Sequence, residues 1–261
     1  MVKFALLIAL NERGGQCSTY ESISVTINAL VSMEYHIAVL GCQTPSQIAR
    51  LGDECGVRLQ NRNIATVSEL ESALHTLHLN NLENLAIVVL GGDGAGYPLS
   101  SGERVGANAI LSMLCSATSE SAELLLIMEG ISGGKCCLPY KLDIEGNFRL
   151  TGKMYTTLQS VLLFTCDCYS AGISTDDGEH GKICPLLSGT FSLLESGVNS
   201  LAEFSSQMCR NHQLPFEVYS TYPIPATLWN WIWNPNLEIY INQKLATLVL
   251  VRKTHTPEMP H

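Results

Sequence analysis

Two short apolar runs that end in glycines, with one helix between them, constrain this chain more than any other feature. Leu85 to Leu90 leads into Gly91-Gly92, and Leu124 to Met128 leads through Glu129 to Gly130. Aliphatic and β-branched residues in an unbroken run, without polar alternation, describe strands buried on both faces. Between them, residues 103–115 place Val105, Ala109, Ile110 and Met113 at helical spacing, so this segment is expected to cover a sheet. A strand-helix-strand unit makes its two strands parallel neighbours, and open α/β sheets carry ligands at the carboxyl ends of such strands. Any site is expected there.

The flanking sequence extends the same pattern. Phe4 to Leu10 reads as a first strand, residues 20–32 as a helix with Ile23, Ile27, Leu30 and Val31 on one face, and His36 to Leu40 as a second strand. Thr44-Pro45-Ser46 opens a helix that runs to Leu51, and residues 52–63 read as loop. Thr66 and Glu69 have the spacing of a capping box, followed by Leu70, Ala73, Leu74 and Leu77 on one face. From Ile131 to Ser160 the pattern weakens into a connection, with a short helix near 154–158. Val161 to Cys166 and Phe216 to Ser220 are strand-like, residues 190–195 and 200–210 helical, and the tail carries Trp229, Trp231 and Trp233 at strand alternation and a β-rich run from Leu245 to Val251.

Composition narrows the function classes. The chain has 261 residues, 46% of them hydrophobic, enough for a sizeable core. A net charge of −9 without a Lys/Arg cluster argues against nucleic acid or an anionic membrane as partner. No run reaches the roughly 18 apolar residues of a membrane span. The start, Met1 to Leu10, has no small-residue cleavage site after it and is read as the first strand. Ten cysteines without repeated C-x-x-C spacing read as reduced thiols in a cytoplasmic protein. His75 and His78 lie three apart on a helix but have no third ligand nearby, so no metal centre is expected. Gly91-Gly92-Asp93-Gly94-Ala95-Gly96 lacks the Lys and Ser/Thr of a P-loop, and Asp93 would repel an anion, so it is read as a tight turn. No cofactor is expected.

The order of these elements resembles the caspase fold over roughly Lys3 to Trp233. Phe4 to Asn11 resembles that family's first strand. Val88-Val89-Leu90-Gly91-Gly92-Asp93-Gly94 resembles the strand that carries the catalytic histidine, and Leu124 to Ile131 resembles the strand that carries the nucleophilic cysteine. Leu163 to Gly172 is similar to the start of the small subunit, Gly189-Thr190-Phe191 to its helix start, and Leu214 to Val218 to its last core strand. The resemblance implies an α/β fold of three layers, a central and mostly parallel six-stranded sheet flanked by helices. It implies a single domain over 1–261, divided into a large-subunit-like part (1–135), a connection (136–160) and a small-subunit-like part with a tail (161–261).

In that register the histidine position is Asp93 and the cysteine position is Gly130. A thiol protease needs a thiolate and a base, and a glycine has no side chain to attack with. The glutamine beside the nucleophile is matched by Met128, and the small-subunit arginine falls near Asp176-Asp177. The resemblance therefore implies a pseudoenzyme that regulates an active caspase, or cell-death or immune signalling, by dimerisation. The implied interface is Pro215, Phe216, Glu217, Val218 and Tyr219, the partner is a protein (a second copy or an active caspase), and Asp143 is a candidate processing position. In a rival register, Leu162 to Gly172, which contains Cys166-Asp167-Cys168-Tyr169-Ser170-Ala171-Gly172, resembles the metacaspase stretch Asp-x-Cys-His-Ser-Gly. It would make Cys168 the nucleophile of an active protease, with His180 on the wrong side of it in sequence. A self-assembling homodimer is the third reading.

Overall fold

The doubly wound sheet is laid down by the apolar runs and turned by their punctuation. The computed structural model describes residues 3–10, 20–32, 35–41, 44–82, 84–92, 96–129, 136–143, 147–153, 157, 159–166 and 216–222. Eleven strands and four α-helices are described in the order β1 (Lys3–Ala9), α1 (Tyr20–Ser32), β2 (Tyr35–Gly41), α2 (Pro45–Cys55), β3 (Gln60–Asn63), α3 (Val67–Thr76), β4 (Asn84–Leu90), β5 (Tyr97–Pro98), β6 (Arg104–Val105), α4 (Ala107–Ala117), β7 (Glu123–Glu129), β8 (Tyr140–Leu142), β9 (Phe148–Leu150), β10 (Ser160–Cys166) and β11 (Phe216–Ser220).

Nine strands form one sheet in the order β3-β2-β1-β4-β7-β10-β11-β8-β9, and β5 and β6 form a separate ribbon. The first six in that order run parallel, β11 is antiparallel to β10, and β8 and β9 continue antiparallel beyond it. The expected α/β architecture, a mostly parallel central sheet flanked by helices, is found, and the six-strand count is corrected to nine. The added strands β3, β8 and β9 are three or four residues long and lack an apolar run. Periodicity alone does not separate such pieces from loop, and edge pairing supplies what their side chains do not.

Alternation along each strand divides the core in two. Ala5, Leu7, Val39, Val88 and Ile127 face one side, where Ile23, Ile27 and Leu30 of α1 and Ile48 and Leu51 of α2 cover them. Leu6, Ile8, Leu40, Ile87, Val89 and Leu126 face the other, beneath Leu70, Ala73 and Leu74 of α3 and Ile110, Leu111 and Leu114 of α4. Right-handed crossovers dictate this division: connections that step toward β3 pass over one face and those that step toward β7 pass over the other.

Local signals set the helix ends. Thr44 and Gln47 form a reciprocal capping box with Pro45 in the first turn, and Gly56, at φ 68°, closes α2 in the left-handed conformation. The helix runs past Leu51, where the sequence reading ended it, because Gly56 rather than Gly52 is the stop. Thr66 and Glu69 form the expected box at α3. No described helix is long and apolar enough to cross a membrane. The readings of helices at 190–195 and 200–210, of strands at 229–233 and 245–251 and of a helix near 154–158 lie wholly or largely outside the described residues.

Candidate functional site

The sheet reverses its direction of growth between β1 and β4. These strands are neighbours, with Ala9 opposite Leu90 in the last register pair and Leu10 N–H donating to Leu90 C=O at 3.2 Å. The connection from β1 leads to α1 on one face, and the chain after β4 leads through β5 and β6 to α4 on the other. Two neighbouring strands whose continuations part to opposite faces leave a crevice at their carboxyl ends. Gly91 and Gly92 are buried immediately after β4, beside this switch point, and Gly91 has φ 89°, a conformation that a side chain strains. Gly91 and Gly92 thus bring backbone without side chains to the carboxyl end of β4.

A second polar grouping lies on the α3/α4 face. Glu217 is in register with buried Thr165 of β10 and two residues from Tyr219, so all three share that face. The Tyr219 hydroxyl donates to Glu217 Oε2 at 3.0 Å, while Lys141 of β8 pairs with Glu217 Oε1 and places its ammonium 5.7 Å from the centre of the Tyr219 ring. Burial, and then the Glu217 carboxylate that accepts its proton, push the Tyr219 hydroxyl well above the usual phenol range. Nearby, Asn108 at the start of α4 grips the backbone and sulfur of Cys137: its Oδ1 accepts from Cys137 N at 3.2 Å and its Nδ2 donates to Cys137 Sγ at 3.0 Å. Lys153 Nζ donates to the Cys136 carbonyl at 2.6 Å.

Cys136 itself is buried, and desolvation pushes its thiol up to about 11; the neighbouring Leu138 N–H and Lys153 pull the other way without prevailing. At neutral pH it is a protonated thiol, the unreactive form. The grouping is thus a brace that joins β11, β8, α4 and the segment after β7, and its Cys136 thiol is not an activated nucleophile.

The sequence-designated positions fall in several places. Asp93, Gly130, Cys168 and Pro215 lie outside the described residues. Phe216, Glu217, Val218 and Tyr219 lie on β11, which sits between β10 and β8 within the sheet. Asp143 closes the turn between β8 and β9: its Oδ1 accepts from Asn147 N at 2.9 Å and its Oδ2 from Arg149 Nε at 2.5 Å. His75 is in the last turn of α3, and His78, at φ 52°, turns the chain out of it. The Lys141–Glu217 pair is absent from the sequence reading. Its signal is a lone carboxylate inside the strand-like run Phe216 to Ser220, since a charge at a half-buried position requires a partner.

No protein-family model and no curated protein matches the chain. Solved structures do match, among them a short-chain dehydrogenase/reductase from Serratia marcescens (12% identity, 48% of this chain and 54% of that one, TM-score 0.32). An actinorhodin polyketide ketoreductase with NADPH matches at 14% identity over 52% of this chain and 55% of that one, TM-score 0.33. An enoyl-(acyl-carrier-protein) reductase from Anaplasma phagocytophilum in complex with NAD matches at 11% identity over 52% and 56%, TM-score 0.32. The chain thus spans little more than half the length of each.

These matches are dehydrogenase/reductase structures and not caspase-like ones, and the caspase resemblance is corrected to the coarser reading, an α/β fold with a mostly parallel sheet. The readings that rested on it fall with it: a pseudocaspase regulating an active caspase or cell-death signalling, and a metacaspase-like protease acting through Cys168. The physical reason lies in what the resemblance was made of. Strand-helix-strand order and glycines at strand ends are demanded of any doubly wound sheet by right-handed crossovers and tight turns, and so do not single out one family. At TM-scores near 0.3 the likeness likewise assigns no activity.

Proposed function

We propose that this protein binds a small, uncharged, hydrogen-bonding ligand, of the nucleoside type, in the crevice between the carboxyl ends of β1 and β4. The observation that carries the reading is the strand order: the parallel strands run third, second, first, fourth, fifth, sixth, and this order places a topological switch point at β1/β4. The reading rests on topology, joined to two buried glycines that bring bare backbone to the carboxyl end of β4.

The residues do not fit a nicotinamide dinucleotide. After β1 the chain reads Asn11-Glu12-Arg13-Gly14-Gly15, without the G-x-G-x-x-G turn that receives a pyrophosphate, and β2 is followed by Cys42-Gln43, without an acid for the ribose hydroxyls. The glycine-rich turn follows β4 instead and carries Asp93. In a chain of net charge −9, that turn favours a neutral ligand over a polyanion.

Thermal unfolding with a panel of nucleosides, sugars, ATP, NADH and NADPH tests this. A ligand at about 100 times its Kd stabilises by about 2.7 kcal/mol, a Tm rise of about 5–10 °C for a chain of this size. The expected result is such a rise with a nucleoside, together with slowed amide exchange at Leu10, Gly91 and Gly92. A panel with no stabilising member, or protection that falls elsewhere, overturns the reading.

A further inference from the structure

The ribbon of β5 and β6 is too short to hold itself together. It has two register pairs, Tyr97 with Val105 and Pro98 with Arg104, and an isolated two-stranded ribbon is marginal in water even when longer. Its base is closed tightly: Gly96 has φ 141°, and a Cβ there would lie 2.9 Å from the Val105 carbonyl oxygen. Its inner side is apolar, with Tyr97, Leu99 and Val105 buried against α3 and α4. Its tip, Ser100 to Glu103, is exposed, yet it is tied down.

The tie is made to residues more than thirty positions back. Ser101 N–H donates to the Ala65 carbonyl at 3.1 Å, and Glu103 Oε2 accepts from Val67 N at the first turn of α3 at 3.0 Å. Ser101 and Glu103 also hold each other, Ser101 Oγ donating to Glu103 Oε2 and Glu103 N to Ser101 Oγ, both at 3.2 Å. The start of α3 already has a complete capping box of its own in Thr66 and Glu69, and Glu69 also accepts from Ala65 N at 2.7 Å. A second carboxylate there adds to a terminus that already has one, and the positive end of the helix dipole accommodates both. Local capping does not require Glu103; the link across the fold does.

We infer that Glu103 is a positioning residue, which straps the β5–β6 ribbon to the start of α3 and so fixes the far end of the glycine turn whose near end, Gly91-Gly92, lies beside the switch point. Its bearing on ligand rests on the proposed site, but the strap itself does not. With Glu103 in place, both ends of the turn are held, one by the sheet and one by the ribbon. Without it, the ribbon keeps its apolar side and the backbone bond from Ser101 to Ala65 but loses the carboxylate tie to α3, so residues 96–105 are held less firmly.

Amide hydrogen exchange on the ligand-free chain reads this directly, in Glu103→Ala, Glu103→Gln and Thr66→Ala. Glu103→Ala is expected to speed exchange by about tenfold in peptides covering 91–92 and 96–105 while β7 and β10 keep their protection. Glu103→Gln is expected to match the parent, since an amide oxygen still accepts from Val67 N. Thr66→Ala, which removes only the local cap, is expected to loosen 66–69 and leave 91–105 unchanged. Faster exchange confined to 65–69 in Glu103→Ala, a uniform rise across the sheet, or a Glu103→Gln that behaves like Glu103→Ala overturns the strap. A ligand found by the thermal panel should bind Glu103→Ala several-fold more weakly, and equal binding with a loosened ribbon removes the link to the crevice. If no panel member binds, the proposed function fails and the exchange result stands on its own.

Discussion

Glu217 of β11 and Lys141 of β8 form an ion pair between strands 76 positions apart in the chain, and the same carboxylate accepts the Tyr219 hydroxyl. The short β8–β9 hairpin joins β11 through only two register pairs, Tyr219 with Lys141 and Ser220 with Tyr140, so these side chains carry much of its attachment.

Replacing Glu217 by Ala is therefore expected to cost about 2 kcal/mol in urea unfolding. The half-exposed ion pair contributes little of that, and the stranded Tyr219 hydroxyl most of it. The same variant should bring the Tyr219 ionisation down toward the ordinary phenol range, read by ultraviolet titration, while burial, the larger cause, holds it above that range.

Stability should fall in alkali before any strand melts on its own account. Cys136 is raised from 9.0 to about 11 in the folded chain, so above pH 9 the unfolded chain loses a proton that the folded one keeps. The contribution is full below pH 9 and is lost as pH rises through 11, a loss on the order of 2 kcal/mol. Tyr219, shifted in the same direction, steepens the fall above pH 10. Denaturant midpoints measured from pH 8 to 11 should decline, and Cys136→Ala, though less stable at pH 8, should decline by one proton less. A parallel decline in both proteins would contradict the assignment.

Two glycines in positive φ should respond differently to alanine. At Gly96 the new Cβ meets the Val105 oxygen at 2.9 Å as well as an unfavourable φ, whereas at Gly152, with φ 75°, it meets nothing within 4 Å. Gly152→Ala should cost about 1 kcal/mol and Gly96→Ala about 2–3 kcal/mol, compared by chemical denaturation. Equal costs would mean that the ribbon shifts freely.

The capping boxes should be separable from the tertiary core. Thr44→Ala and Thr66→Ala are each expected to lower stability by about 1 kcal/mol, with m-values unchanged, because each removes one acceptor at a helix start and no packed side chain.

The central unit was legible in the sequence because its physics is local. An unbroken aliphatic run such as Leu85 to Leu90 has nowhere to go but between two covered faces, and Thr66 with Glu69 satisfies helix-end amides wherever that helix lies. These signals located β1, α1, β2, α3, β4, α4, β7, β10 and β11, and the parallel pairing of β4 with β7. They could not separate one doubly wound family from another, since strand order and glycine endings follow from crossover handedness in all of them. Tertiary structure alone decided the rest. The strands β3, β8 and β9 exist because a neighbouring edge pairs with them, Gly91 and Gly92 lie beside a switch point because the chain parts to opposite faces there, and Glu103 and Glu217 are held because distant segments bring them a donor. Each of these depends on groups brought together from far along the chain, and such contacts leave no period in the sequence that carries them.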